Sequence, residues 1–139
     1  MNKLSYGKLQ RNMKVALWGC CALAVTGCAT MSGPERTVEV RATEYWQARL
    51  EGRPDLAYEL TTPSHRQLRT LPQYRSKFPG LGAKSAEVAD VTCEAERCVA
   101  RIKLKVQPGL AMVKLDAVDM YLDDVWVLEQ GQWWHFEAP

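Results

Sequence analysis

Apolar positions along the chain recur with a helical period in its first half and a strand period in its second. From Glu35 to Glu51, at about 100° per residue, Val38, Ala42, Tyr45 and Trp46 fall in a stripe about 100° wide, with Ala48 and Leu50 at its flanks. Gly52 ends this helix. Pro54 suits the first position of a second short helix through Leu60, which Thr61-Thr62-Pro63 stops. Ser64 is placed to cap a further helical segment through Arg69, and Pro72 to Phe78 adds a turn before the break at Pro79-Gly80-Leu81-Gly82.

Beyond that break the period falls to two. Val88, Val91 and Thr92 lead into Cys93, the polar stretch Glu94-Ala95-Glu96-Arg97 turns the chain, and Cys98 starts a clean alternation. Cys98, Ala100, Ile102, Leu104 and Val106 share one face; Arg101, Lys103 and Lys105 share the other. A second hairpin closes the chain, with 124–129 and 132–136 flanking Gln130-Gly131, where Gly suits a positive φ. Its register sets Val125 and Val127 against Phe136 and Trp134, and Trp126 and Leu128 against His135 and Trp133. Both faces are then apolar. An antiparallel sheet normally keeps one face wet, so the second needs cover from a helix, a second subunit, a partner, or its own curvature and terminal loops. Trp126, Leu128, Trp133 and His135 are the candidate interaction face.

The first residues follow a different order. Lys3, Lys8, Arg11 and Lys14 form a basic leader without acidic residues, the run Val15 to Val25 is apolar, and Val25-Thr26-Gly27-Cys28 follows. Positive, then apolar, then small is the order of a secretory signal. The run is shorter than the roughly 20 residues that a spanning helix needs. Val25-Thr26-Gly27-Cys28 resembles the lipobox of bacterial lipoproteins, position by position, although Leu is commoner in the first place. The resemblance implies lipid transfer to the Cys28 sulfur and cleavage before it, which divides the chain into a signal peptide (1–27), a lipidated tether (28–34) and one domain (35–139). Cys20 and Cys21 leave with the leader. Ala29 after the lipidated Cys implies the outer membrane, with the domain facing the periplasm.

Cleavage changes the charge argument. The whole chain carries +2; without the four leader cations, 14 basic residues face 16 acidic ones and the balance becomes −2. The basic balance therefore gives no reason to expect nucleic acid. The mature 112 residues suffice for one core and not for two. Of the cysteines only Cys28, Cys93 and Cys98 stay; with Cys28 lipidated in an oxidising compartment, Cys93 and Cys98 are expected as a disulfide. Their spacing, with no second Cys pair and no nearby His, does not suit zinc.

Three stretches resemble the nuclear-transport-factor-2-like (NTF2-like) superfamily: Tyr45-Trp46-x-Ala48-Arg49-x-x-Gly52, Asp55-x-Ala57-Tyr58-x-Leu60 and Trp126-x-x-x-x-Gly131-x-Trp133-Trp134. The resemblance implies an α+β cone of N-terminal helices on a curved antiparallel sheet of about four strands. A disulfide hairpin would be an addition to it. Fold likeness alone transfers no function.

Arg49 projects into the apolar stripe, where an unpaired charge is costly. Either its stem packs and its head pairs with Asp55 or a strand Asp, or it floors a pocket for a small apolar or anionic ligand with Tyr45, Trp46 and Tyr58. Asp116, Asp119, Asp123 and Asp124 are the densest acidic cluster, but they alternate with Val118, Met120, Tyr121 and Leu122 as a strand does. Carboxylates solvated or paired with Arg101, Lys103 and Lys105 are expected rather than a calcium loop. His65, His135, Tyr121 and Asp123 could serve an isomerase- or dehydratase-like reaction, yet nothing in sequence gathers them. No activated Ser, Cys–His pair or phosphate loop is present, and no cofactor is implied. The leading expectation is a lipid-anchored, non-catalytic envelope module that binds or scaffolds a protein partner or a second copy of itself. The alternatives are a small-ligand-binding cone and such an enzyme.

Overall fold

A computed structural model describes residues 33–78, 82–107, 109–110, 113–114 and 116–138. The lipobox, its leader and most of the tether lie outside the described residues. Four helices come first: α1 (Pro34–Leu50), α2 (Pro54–Glu59), α3 (Pro63–Leu68) and α4 (Leu71–Ser76). Strands β1 (Ala83–Glu94), β2 (Arg97–Val106), β3 (Gly109–Leu110), β4 (Val113–Lys114), β5 (Val118–Glu129) and β6 (Gln132–His135) follow. The order β1-β2-β5-β6 makes one antiparallel sheet, and β3 pairs with β4 in a separate ribbon. The expected α+β class, helices packed on a curled four-stranded sheet, is what the chain forms.

Each helix starts on or next to a proline, which fixes φ and withholds an N–H that the first turn could not have paired. In α3 the cap is Thr62 rather than Ser64: its Oγ1 accepts from the His65 N–H at 3.1 Å. Ser64 instead donates from Oγ to Glu129 Oε2 at 3.0 Å, tying α3 to the end of β5. The segment at 71–76 is a full helix, where a turn was expected. The Gln73 side chain accepts from the Thr70 N–H at 2.9 Å, a reciprocal cap of the kind that closes a helix start.

α1 supplies the lid of the core. Val38, Ala42 and Tyr45 are fully buried, with Trp46 and Ala48 nearly so, matching the stripe read from the sequence. They meet Val91, Cys98, Ala100, Ile102, Leu104, Trp126 and Trp133 from the sheet. Both hairpins have the expected register: Cys93 pairs with Cys98 and is disulfide-bonded to it, while Trp126 pairs with His135 and Leu128 with Trp133. The first turn is tighter than the polar stretch suggested, because Glu94 pairs with Arg97 and only Ala95 and Glu96 lie between. Ala95, Gln130 and Gly131 carry positive φ, as two-residue hairpin loops require.

One expectation is overturned by this packing. Trp126 is fully buried, Trp133 and His135 nearly so, and Leu128 is partly buried against the core. The candidate interaction face is therefore the inner wall of the cone. α1 of the same chain covers this face, while on the opposite one Val125, Val127 and Trp134 are half-buried and Phe136 is 44% exposed. No helix among the described residues is long and apolar enough to cross a membrane.

Candidate functional site

Behind that wall runs a chain of polar groups. Alternation along β5 puts Asp124 on the same face as Trp126, and it is 7% exposed. Its two oxygens are both engaged: Oδ2 accepts from Trp46 Nε1–H at 2.9 Å, and Oδ1 lies 2.6 Å from His135 Nε2. On the far side of the ring, Nδ1 stands 3.4 Å from Glu137 Oε1, an ionic contact rather than a well-aligned hydrogen bond. Glu137 Oε1 in turn accepts from the Tyr45 hydroxyl at 2.9 Å. The Tyr45 oxygen lies 3.3 Å from that of Tyr74 and accepts from Arg49 Nη1 at 3.2 Å. Tyr45 also stacks on the His135 ring, with centroids 4.0 Å apart.

These contacts set the protonation states. Burial works against a charged His135, but the hydrogen bond to Asp124 and the nearby carboxylate of Glu137 outweigh it and push the imidazolium up to about 9. His135 is therefore a cation at neutral pH, held between two carboxylates. Burial also opposes charge on Glu137, yet His135 and Tyr45 hold its carboxyl below the usual range. Burial raises the Tyr45 phenol far above its ordinary value and pushes Tyr74 up to about 12, so both stay protonated donors.

The outer end of this network opens into a cavity of about 90 Å³. Its lining comes from the last turn of α1 (Arg49), from α3 and its C-cap (His65, Arg69), from α4 and the residues after it (Gln73, Tyr74, Lys77, Phe78), and from the tail after β6 (Glu137, Ala138). The Arg49 guanidinium lies 4.3 Å from the Phe78 ring centroid. It pairs with neither Asp55, which Arg53 takes at 3.4 Å, nor Asp124. Its Nε and the Nε2 of His65 are both buried without a hydrogen-bond partner among the described residues. Burial lowers the His65 pKa, so this ring is neutral at pH 7. Among the described residues, three permanent cations thus face one carboxylate here. Neither Arg69 nor Lys77 has a carboxylate within 4.0 Å among the described residues.

Of the four pocket residues expected from sequence, only Arg49 lines this cavity. Tyr45 and Trp46 are core residues beneath it, and Tyr58 turns aside to donate to Arg69 O at 2.6 Å, which holds the end of α3 in place. His65 and His135 come near one site, at its rim and beneath its floor. Tyr121 and Asp123 do not join them: Tyr121 is half exposed, and Asp123 meets Arg101 at 3.2 Å on the outer face. Asp119 likewise meets Lys103 at 3.0 Å, as the charge pattern suggested. Asp124 departs from the solvated cluster in which its neighbours placed it. Its parity with Trp126 and Leu128 was the available signal. Glu137, Arg69, Tyr74 and Lys77 carried none.

No family model and no curated protein matches the chain. Solved structures do. A protein named as an NTF2-like transpeptidase from Campylobacter jejuni shares 8% identity over 73% of this chain and 98% of its own, with TM-score 0.50. The fold is NTF2-like. A SEC-C motif containing protein from Psychrobacter arcticus aligns at TM-score 0.57 with 11% identity, over 78% of this chain and 63% of its own. A second SEC-C motif containing protein, from Rhodopseudomonas palustris, aligns at TM-score 0.48 with 15% identity, over 68% of this chain and 70% of its own. At such identities the likeness is one of fold alone.

Proposed function

We propose that this chain is a lipid-anchored envelope protein whose NTF2-like cone binds a small anion in the cavity over Arg49. The observation that carries the reading is the charge in that cavity, where Arg49, Arg69 and Lys77 meet only Glu137 among the described residues. Arg49 and Arg69 are half-buried and Lys77 is exposed; buried polar atoms are normally hydrogen-bonded, yet the buried Arg49 Nε and His65 Nε2 atoms lack partners among the described residues. A carboxylate or phosphate oxygen supplies acceptors to guanidinium N–H groups in the geometry that suits them.

A small-ligand cone fits these residues better than a scaffold built on Trp126, Leu128 and Trp133, because those side chains already pack against α1. Support for the anchor is the order of leader, apolar run and Val25-Thr26-Gly27-Cys28. The outer membrane, facing the periplasm, is the address that Ala29 favours.

Two measurements test the two parts. Arg49→Leu should keep the melting temperature within a few degrees and lose at least tenfold in affinity for acetate and inorganic phosphate, read by ligand-observed NMR. Wild-type protein that binds neither anion, or a variant that simply unfolds, counts against the pocket. Intact mass of the purified protein should show an acylated Cys28 at the N-terminus; a product beginning elsewhere refutes the anchor.

A further inference from the structure

A second cavity of about 150 Å³ adjoins the cationic one. The two share His65, Arg69 and Glu137, and beyond that shared rim the second is lined by Thr62, Ser64, Leu68 and Phe136. Leu68 is 77% exposed and Phe136 44%, the first more than any other large apolar side chain described. Exposed apolar residues scattered singly need no explanation. These two sit on different elements, α3 and the tail after β6, and line the same hollow next to an anion site.

We propose that the site takes an amphipathic anion, with a carboxylate or phosphate head at Arg49, His65 and Lys77 and a short alkyl tail across Leu68 and Phe136. The inference rests on the anion-binding reading above and adds the tail. The head cavity is small and cationic, so charge complementarity orients the ligand head-first. The tail would then lie over Arg69, which lines both cavities and whose aliphatic stem offers apolar surface while its guanidinium stays with the head. Burying a methylene stabilises by an amount that multiplies affinity about fourfold when burial is complete. In an open hollow, about two- to threefold per methylene is expected.

The test uses the purified full chain in a zwitterionic nanodisc, titrated with acetate, butyrate, hexanoate and octanoate, with octyl phosphate and 1-octanol alongside, by ligand-observed NMR. Affinity should climb about two- to threefold per methylene from acetate to octanoate. Leu68→Ser/Phe136→Ser should flatten that climb, leaving acetate affinity and the melting temperature as in the wild type. Comparison of the two proteins cancels partition into the disc. Octanoate and octyl phosphate should both bind; binding of one alone assigns the head, and 1-octanol binding equal to octanoate would overturn the amphipathic anion. Acetate binding with no chain-length dependence, or with one that the double variant retains, overturns the tail and leaves the anion site standing. Failure of acetate, octanoate and octyl phosphate alike overturns both.

Discussion

Asp124→Asn removes one charge from the middle of the buried network with almost no change of shape. In the wild type, the Asp124 carboxylate takes hydrogen bonds at 2.6 Å from His135 and 2.9 Å from Trp46. Bonds to a charged partner contribute about 1.5–3 kcal/mol each, and breaking a buried ion pair by removing one partner costs about 3–5 kcal/mol. The sign of the pH dependence follows from His135, which moves from 6.5 to about 9 on folding. A raised pKa stabilises fully below 6.5, and that contribution is lost as pH climbs through about 9. Its full size is about 3 kcal/mol, part of it owed to Glu137. The substituted amide keeps an acceptor for Trp46 and offers an N–H to a neutral His135, so the variant no longer favours the imidazolium so strongly. Urea unfolding at intervals from pH 6 to pH 9.5 should therefore show the variant less stable by about 3 kcal/mol at the acid end. The gap should close by about 2 kcal/mol at the alkaline end, with other titrations cancelling in the difference. Two parallel curves, separated by a constant gap, would refute the ionised Asp124–His135 pair.

Glu137 gives the opposite dependence: its lowered pKa stabilises above 4.5 and is lost on acidification, so Glu137→Gln should lose less stability than wild type between pH 5 and pH 3 in the same assay. Replacing Cys93 and Cys98 by Ser opens a short loop whose closure is worth about 2 kcal/mol in the chain-entropy model. The urea midpoint should fall, and an unchanged midpoint would mean that the β1–β2 turn is already fixed without the bridge. Gly131→Ala should cost about 1 kcal/mol because φ is +76° there. Gly82→Ala, with nothing within 4 Å of the added carbon, serves as its near-neutral control in thermal melts.

Most of the fold was legible because it rests on local periods. The stripe of Val38, Ala42, Tyr45 and Trp46 is buried as read, and the alternation from Cys98 to Leu104 faces inward as read. Gln130-Gly131 set the register of the last hairpin, since a two-residue loop leaves no slack. What covers the sheet was not legible, because periodicity marks a face as apolar without saying what lies on it. Trp126 and Trp133 were read as awaiting a partner for that reason. The site was harder still. Arg49 stood out because a charge interrupted an apolar stripe, whereas Arg69, Lys77 and Glu137 occur in polar stretches that look like ordinary surface. Only the fold brings the tail after β6 beside the ends of α3 and α4.

The edges of the main sheet bear on how copies of this chain can meet. Along β6, the Thr62 N–H donates to His135 O at 3.1 Å and the His135 N–H to Leu60 O at 2.9 Å, so the segment between α2 and α3 occupies hydrogen-bonding positions that another strand would use. Along β1, the register shifts between Val88 and Asp90, and Lys84, Glu87 and Asp90 are exposed. A shifted, charged margin is a poor template for strand addition. Wherever copies of this chain meet at high local concentration, end-to-end sheet growth would be the hazard. With one margin occupied and the other broken, these molecules can be packed densely without polymerising.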